Sequence, residues 1–299
     1  MSTTNYMDIR EFTEKFFTSV NPPNSLEETR SRQTAYGKGS ALPKGWGTSP
    51  ILLGNVPALE ISAPEVASKG AVLFFHAGGY SAGSAEDHAG LAGHIGQACG
   101  LKSYCVDYRL APEHVFPAAA EDAFEAYVQL RIKLGNDEPI VLAGDSAGGG
   151  LVIVVAQLAK KRGYQGPAAL YAISPWISMD LDSPSYKKIG AKDPMLSRQT
   201  LGALRELYLN GHPAADEMAS PVYGDFADFP PLLIDVGSSE VLLGDAIELS
   251  RLTAMEGNTV SLNVWKDMIH IFPWFYPHLL EANQAIQQAG EWLRKTIGK

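Results

Sequence analysis

Residues 139–161 read "PIVLAGDSAGGGLVIVVAQLAKK". The opening "PIVLAG" is short and wholly apolar or small, the pattern of a strand buried on both faces. The closing "LVIVVAQLAKK" continues as an apolar helix with lysines in its last turn. Between them lies G-D-S-A-G at 144–148, a match to G-x-S-x-G. A serine on a sharp strand-to-helix turn sits on a strained and tightly enclosed backbone, which requires small residues two before and two after it. Gly144 and Gly148 meet that requirement, so the stretch is expected to present Ser146 as a nucleophile.

A second match, G-Y-S-A-G, lies inside "HAGGYSAGS" at 76–84. Here Ala77, Gly78, Gly79 and Tyr80 separate Ser81 from the preceding strand "GAVLFFH", and the next helix starts later, with Ser84 as its N-cap and Asp87 three residues on. Ser81 is therefore not expected to be the nucleophile. Acyl transfer also needs donors for the negative oxygen of the tetrahedral intermediate, and backbone N–H groups supply them without side-chain entropy. The glycine-rich "HAGG" loop is expected to offer the N–H groups of Gly78 and Gly79, with Ala147 as the third donor.

The same alternation of short apolar runs and longer amphipathic segments extends through the chain from about residue 49, the signature of βαβ units. Strands are expected at "PILLG", "VPALEIS", "GAVLFFH", "KSYCVDY", "PIVLAG", "AALYAIS", "PLLIDVG" and "TVSLNVW". Helices are expected at "AEDHAGLAGHIGQA", "PAAAEDAFEAYVQLRIKL", "GGGLVIVVAQLAKKR", "GDAIELSRLTAMEG" and "HLLEANQAIQQAGEWLRKTI". The first two strands leave no room for a helix between them, so the sheet starts antiparallel. The result is an α/β fold with a mostly parallel eight-stranded sheet. Residues 1–45 and 177–218 do not follow the alternation. They carry "MDIREFTEKFFTSV", a Pro/Asn turn, "SLEETRSRQTAY", and a segment "SRQTLGALRELYLN" that opens on Ser197 as N-cap. These two regions are expected to form a helical cap over a catalytic domain of residues 46–176 and 219–299.

Taken together, "HAGGY", "GDSAG", "VDYRLAPEHVFPAAAEDAFEAY" at 106–127 and "SPWIS" at 174–178 resemble, in order, the segments of the bacterial hormone-sensitive-lipase family of α/β-hydrolases. The resemblance runs from about residue 50 to the C-terminus. Ala77 departs from it, standing where the family usually has glycine. The likeness implies an α/β-hydrolase fold and a serine esterase acting on small, short-acyl esters, with lactones within reach of the same machinery and no cofactor or metal. Peptidase or amidase activity shares the triad. Non-catalytic small-ligand receptors of this fold, such as the plant gibberellin receptors, lose the triad histidine, and this chain keeps one at His270.

In this fold the order along the chain is serine, acid, histidine. Of the 7 histidines, His212, His270 and His278 follow the elbow. His270 comes after the last strand, in a loop that points toward the strand ends, whereas His212 falls in the cap and His278 beside the final helix. For the acid, the resemblance puts an Asp where this chain has Glu240, which can do the same electrostatic work with one more methylene of reach. Asp245 is the alternative one helical turn on, and Asp235 lies within a strand. Asp145 is read as structural, accepting hydrogen bonds from the neighbouring loop. Arg109 and Glu113 are read as a pair bracing the proline-rich loop. Tyr80, Trp176, Met195, Phe272 and Trp274 fall in segments expected to border an apolar substrate pocket.

Composition narrows the partners. The net charge of -9 disfavours nucleic acid and anionic membrane surfaces, which are themselves polyanions. No apolar run reaches the length of a membrane span, and the N-terminus lacks the apolar core of a signal peptide. The two cysteines, Cys99 and Cys105, are read as free buried thiols, which points to the cytoplasm. A small ester or lactone is the expected partner. The last strand is expected to leave an edge through which a homodimer could form.

Overall fold

In a computed structural model of the chain, which describes residues 6–18, 25–66 and 69–298, the strand segments assemble into one 8-stranded sheet. The strands are β1 (Gly47–Leu53), β2 (Val56–Ser62), β3 (Ala71–Phe75), β4 (Lys102–Val106), β5 (Ile140–Asp145), β6 (Ala169–Ile173), β7 (Leu232–Gly237) and β8 (Val260–Trp265). Their order across the sheet is β1-β2-β4-β3-β5-β6-β7-β8. The β1–β2 hairpin and the β2–β4 pairing are antiparallel, and every pairing from β4 through β3 to β8 is parallel.

Strand alternation sends neighbouring side chains to opposite faces, so a parallel strand covered by helices on both sides must be apolar throughout. Leu73, Phe75, Leu142, Ala172 and Ile234 bury against α4 (Ala118–Leu134), α5 (Ala147–Lys161) and α8 (Leu243–Met255). Val72, Phe74, Val141, Ala143, Tyr171 and Leu233 bury on the other face, against α3 (Ala85–Cys99) and α9 (Leu280–Thr296). The edges differ from this centre. β1 is largely exposed and β8 is half-exposed, with Val264 open to solvent.

Outside the alternating part, α1 (Ile9–Thr13) runs on into a single wider turn, and α2 (Leu26–Gly37) starts at Ser25, whose hydroxyl caps the Glu28 N–H. The expected Pro/Asn turn between them lies outside the described residues. The segment 177–218 carries α6 (Ser185–Lys188) and α7 (Arg198–Leu209), the latter opened by Ser197 in a reciprocal cap with Thr200. Among the described residues no helix is long and apolar enough to cross a membrane, and no group of three or more His, Cys, Asp or Glu gathers as a metal site.

Candidate active site

The loops that leave β3, β5, β6, β7 and β8 all emerge at the C-terminal ends of parallel strands, the edge where open α/β sheets hold their ligands. Non-glycine residues with left-handed backbone gather there: Tyr80 (φ 60°), Ser146 (φ 56°), Ser174 (φ 45°) and Ile271 (φ 47°). Such strain persists only where the surroundings over-determine it. At Ser146 those surroundings are close. A Cβ on Gly148 would lie 1.9 Å from the Phe75 carbonyl oxygen and one on Gly144 would lie 2.5 Å from the Gly148 oxygen, so only glycine lets β3, β5 and the start of α5 approach this far.

Ser146, His270 and Glu240 form one buried hydrogen-bonded line. A carboxylate can only accept, so Nδ1 of His270 carries the proton and donates it to Glu240 Oε2 at 2.7 Å. That tautomer leaves Nε2 with a lone pair, 2.9 Å from the Ser146 hydroxyl that donates to it. Glu240 is itself fixed at its other oxygen, where Oε1 accepts from Gly237 N at 2.6 Å and from the Ser174 hydroxyl at 2.7 Å. The Ser174 oxygen in turn accepts from Ile271 N at 3.0 Å, closing a loop from the acid to the residue after the histidine. Burial disfavours a charged His270, but the hydrogen bond and charge of Glu240, with Asp193 and Asp145 adding to them, outweigh it and hold its pKa above the ordinary histidine value. An assembly of this kind can take a proton from a serine hydroxyl and stabilise the resulting imidazolium.

Beside it, the Gly78–Gly79 turn has φ values of 126° and 59°, and a Cβ would run into the Ala82 carbonyl oxygen at Gly78 and the Leu204 side chain at Gly79, while Ala77 has an ordinary backbone and a buried methyl. Glycine is therefore demanded most strictly at residue 78, and the alanine at 77 leaves the loop undisturbed. The N–H groups of Gly78, Gly79 and Ala147 find no acceptor among the described residues. Ser81 is buried one turn away, with its hydroxyl only within 3.4 Å of the Gly78 oxygen.

The remaining candidates separate by contact. Asp245 accepts from the backbone N–H groups of Ile177 and Ser178 at 3.2 Å each and has no bond to His270. Burial pushes its pKa up to about 7 in spite of those donors. Asp235 is spent on Tyr171, Asn263 and Trp265. His212 pairs with Asp216 at 3.0 Å in the segment 177–218, and the His278 ring packs on Phe12 and Phe16, so neither faces Ser146.

Asp145 follows Val141 and Ala143 by strand alternation onto the α3 face, so its carboxylate accepts no hydrogen bond from a loop among the described residues; it lies 3.4 Å from buried His88 instead. Arg109 does not pair with Glu113. It forks onto Asp122 of α4 at 2.8 to 3.0 Å, and Glu113 is taken by Arg30 of α2 at 2.7 Å. Among the aromatic residues, Tyr80 stacks on Tyr208 with centroids 4.0 Å apart and adjoins Trp176, forming a platform beside the elbow. Met195 is half-buried in the segment 177–218. Phe272 is instead packed on Trp265, and Trp274 lies flat on His88 at 4.7 Å, both within the core on the α3 and α9 face.

Ser174 and Asp193 hold the surroundings of the triad without any motif to mark them in the sequence. Asp193 accepts from Met195 N and Leu196 N at 2.9 Å each and from Val241 N at 2.8 Å, which ties the segment 177–218 to the loop of Glu240. The only local signal for Ser174 is its place at the end of a strand, before the proline of "SPW". Nothing periodic marks Asp193.

Comparison with known proteins points the same way. A family model described as the α/β hydrolase fold matches residues 72–274. An acetyl-hydrolase of Streptomyces hygroscopicus is 35% identical over 275 residues, 91% of this chain and 92% of its own length. The esterase LipU of Mycobacterium tuberculosis is 32% identical over 243 residues, 79% of this chain and 81% of its own. Among solved structures, an esterase of the bacterial hormone-sensitive lipase family superposes with a TM-score of 0.91 at 35% identity over 96% of both chains. EstE5, from a crystal soaked with p-nitrophenyl butyrate, gives 0.91 at 34% identity over 97% of this chain and 99% of its own. With the elbow, the sheet order and these relatives in agreement, the chain belongs to the hormone-sensitive-lipase family of bacterial esterases with the α/β-hydrolase fold, and it is a carboxylic ester hydrolase.

Proposed function

We propose that Ser146, His270 and Glu240 carry a two-step hydrolysis of small, short-acyl esters. The observation behind this reading is the unbroken line of hydrogen bonds from Glu240 through His270 to Ser146. Ser146 Oγ attacks the ester carbonyl while His270 Nε2 takes its proton, and the oxygen that becomes negative is met by the N–H groups of Gly78, Gly79 and Ala147. His270 then returns the proton to the leaving alcohol. A water, deprotonated by the same nitrogen, attacks the acyl carbon; the bond to Ser146 Oγ breaks, His270 returns the proton to that oxygen, and the acid is released. Tyr80, Trp176 and Met195 stay as the proposed apolar border of the substrate. The Streptomyces relative is an acetyl-hydrolase and the EstE5 crystal was soaked with p-nitrophenyl butyrate, and both favour short acyl groups.

The test is a series of p-nitrophenyl esters from acetate to long acyl chains, together with simple lactones. The optimum is expected at short chains. Turnover that favours long-chain esters overturns the short-acyl reading, and a higher kcat/KM on lactones reassigns the enzyme as a lactone hydrolase. The same assay carries a pH prediction. Only neutral imidazole accepts the serine proton, and the pKa of His270 is raised. kcat/KM is therefore expected to climb with pH along an acid limb centred above the ordinary value of about 6.5. A flat profile from acid to neutral pH contradicts the assignment of His270.

In this reading residues 1–45 and 177–218 act as a cap over the catalytic part at 46–176 and 219–299. Cys99 and Cys105 are both buried and form no disulfide, and in this reading the chain works in a reducing compartment, the cytoplasm. The half-exposed β8 edge is proposed to pair with its symmetric copy in a homodimer. Light scattering at micromolar concentration is expected to give twice the chain mass, and a single monomeric species removes the dimer.

A further inference from the structure

A trans peptide unit directs its C=O and its N–H to opposite sides. Whatever holds the carbonyl therefore aims the N–H. The Gly79 N–H shares a peptide with the Gly78 carbonyl, and that carbonyl accepts from Ser81 N at 3.1 Å and Ala82 N at 3.0 Å. This donor is aimed by its own loop. The Gly78 N–H shares a peptide with the Ala77 carbonyl, which accepts from His76 Nδ1 at 2.7 Å and from Gln33 Nε2 at 3.2 Å. Burial, with His88 nearby, pushes the His76 pKa down to about 3, so that ring is neutral and donates from Nδ1. The second donor comes from α2, outside both the loop and the sheet.

Gln33 is held closely in place. A Cβ on Gly83 would lie 2.8 Å from its Nε2 and one on Gly78 would lie 3.2 Å away, so the amide fills the hollow of the glycine turn. One helical turn earlier, Arg30 fastens the same face of α2 to the same region. Its Nε donates to Ser81 O at 2.8 Å, and its guanidinium donates to Ala111 O at 3.0 Å and forks onto Glu113 at 2.7 and 2.8 Å. A donor on the carbonyl also polarises the peptide, which strengthens the N–H at its other side. We infer that Gln33 is a positioning residue for the oxyanion hole, so that α2 sets the rate of the chemistry as well as covering the site. This rests on the reading of Ser146 as nucleophile and Gly78 N–H as an oxyanion donor.

The test uses the full chain with Gln33→Met, which keeps bulk and removes the donor, and Gln33→Glu, which keeps shape but presents an acceptor to the Ala77 oxygen. Steady-state kinetics on p-nitrophenyl acetate are read with the inhibition constant of a trifluoromethyl ketone, whose adduct with serine mimics the tetrahedral oxyanion. Both variants are expected to lose roughly tenfold in kcat, short of the ~10²–10³ lost with a direct donor, with KM changed less than about twofold. The inhibitor is expected to weaken by the same factor as kcat/KM, and Gln33→Glu to lose more than Gln33→Met. A purely structural role would lower the melting temperature while kcat per folded molecule and inhibitor affinity stay at wild-type values, and that result overturns the inference. Ser146→Ala, run alongside, separates the two levels. If it abolishes turnover while both Gln33 variants match wild type, only the role of Gln33 falls; if it keeps turnover, the reading of the site falls with it.

Discussion

Replacing Ser146 by alanine is expected to lower kcat by roughly 10⁴- to 10⁶-fold, the range lost when a serine nucleophile is removed and only oxyanion donors and binding remain. The alanine keeps the buried elbow filled and leaves the Ser146 backbone bonds, from its N–H to Ile173 O and from Trp176 N to its carbonyl, intact. Stability is thus preserved and the loss is chemical. Ser81→Ala is the matched control, because that serine sits in the same five-residue pattern. Its hydroxyl has a single long contact at 3.4 Å and no line to His270, so its removal is expected to change kcat by less than about threefold. Equal losses in the two variants, or activity retained in Ser146→Ala, refute the elbow as the seat of the nucleophile.

Glu240→Gln is expected to cost about 10⁴-fold in kcat, through the histidine tautomer and not through its position. Oε1 of Glu240 receives the Gly237 N–H and the Ser174 hydroxyl, so the amide oxygen of the variant must occupy that side. Its NH₂ group then faces His270 Nδ1 and donates to it. Nδ1 becomes an acceptor, the ring proton moves to Nε2, and the lone pair needed by the Ser146 hydroxyl is lost. Asp245→Asn serves as the comparison. An amide oxygen there still accepts from Ile177 N and Ser178 N, and activity is expected to stay within about threefold of wild type. The opposite ranking would transfer the acid to Asp245.

How much of this was readable in the sequence depends on the range of the interaction that fixes each feature. β5 and α5 were legible because burial on both faces forces an uninterrupted apolar run, and the same holds for β3, β6 and β7. The Ser197 cap was legible because its partner Thr200 is three residues away. The direction of Asp145 could have been found by extending the alternation of Val141 and Ala143, but its approach to His88 depends on where α3 packs. Arg109 and Glu113 are expected to pair only because they are near in sequence. Their real partners, Asp122 and Arg30, are set by helices meeting in space. Gln33 lies 44 residues from Ala77, and no periodicity links two such positions. Phe272 and Trp274 differ from expectation for a related reason: the loop after His270 leads to the strand ends, but its aromatic residues turn back under α3 and onto Trp265.

Turnover through the elbow requires that Ser146 become covalently acylated. Wild-type protein is incubated with a p-nitrophenyl alkylphosphonate, which leaves a stable adduct on an activated serine, then digested and its peptides weighed by mass spectrometry. Activity is expected to fall in step with one adduct per chain, carried on the peptide containing Ser146. An adduct on Ser81, or full inhibition with Ser146 unmodified, would contradict it.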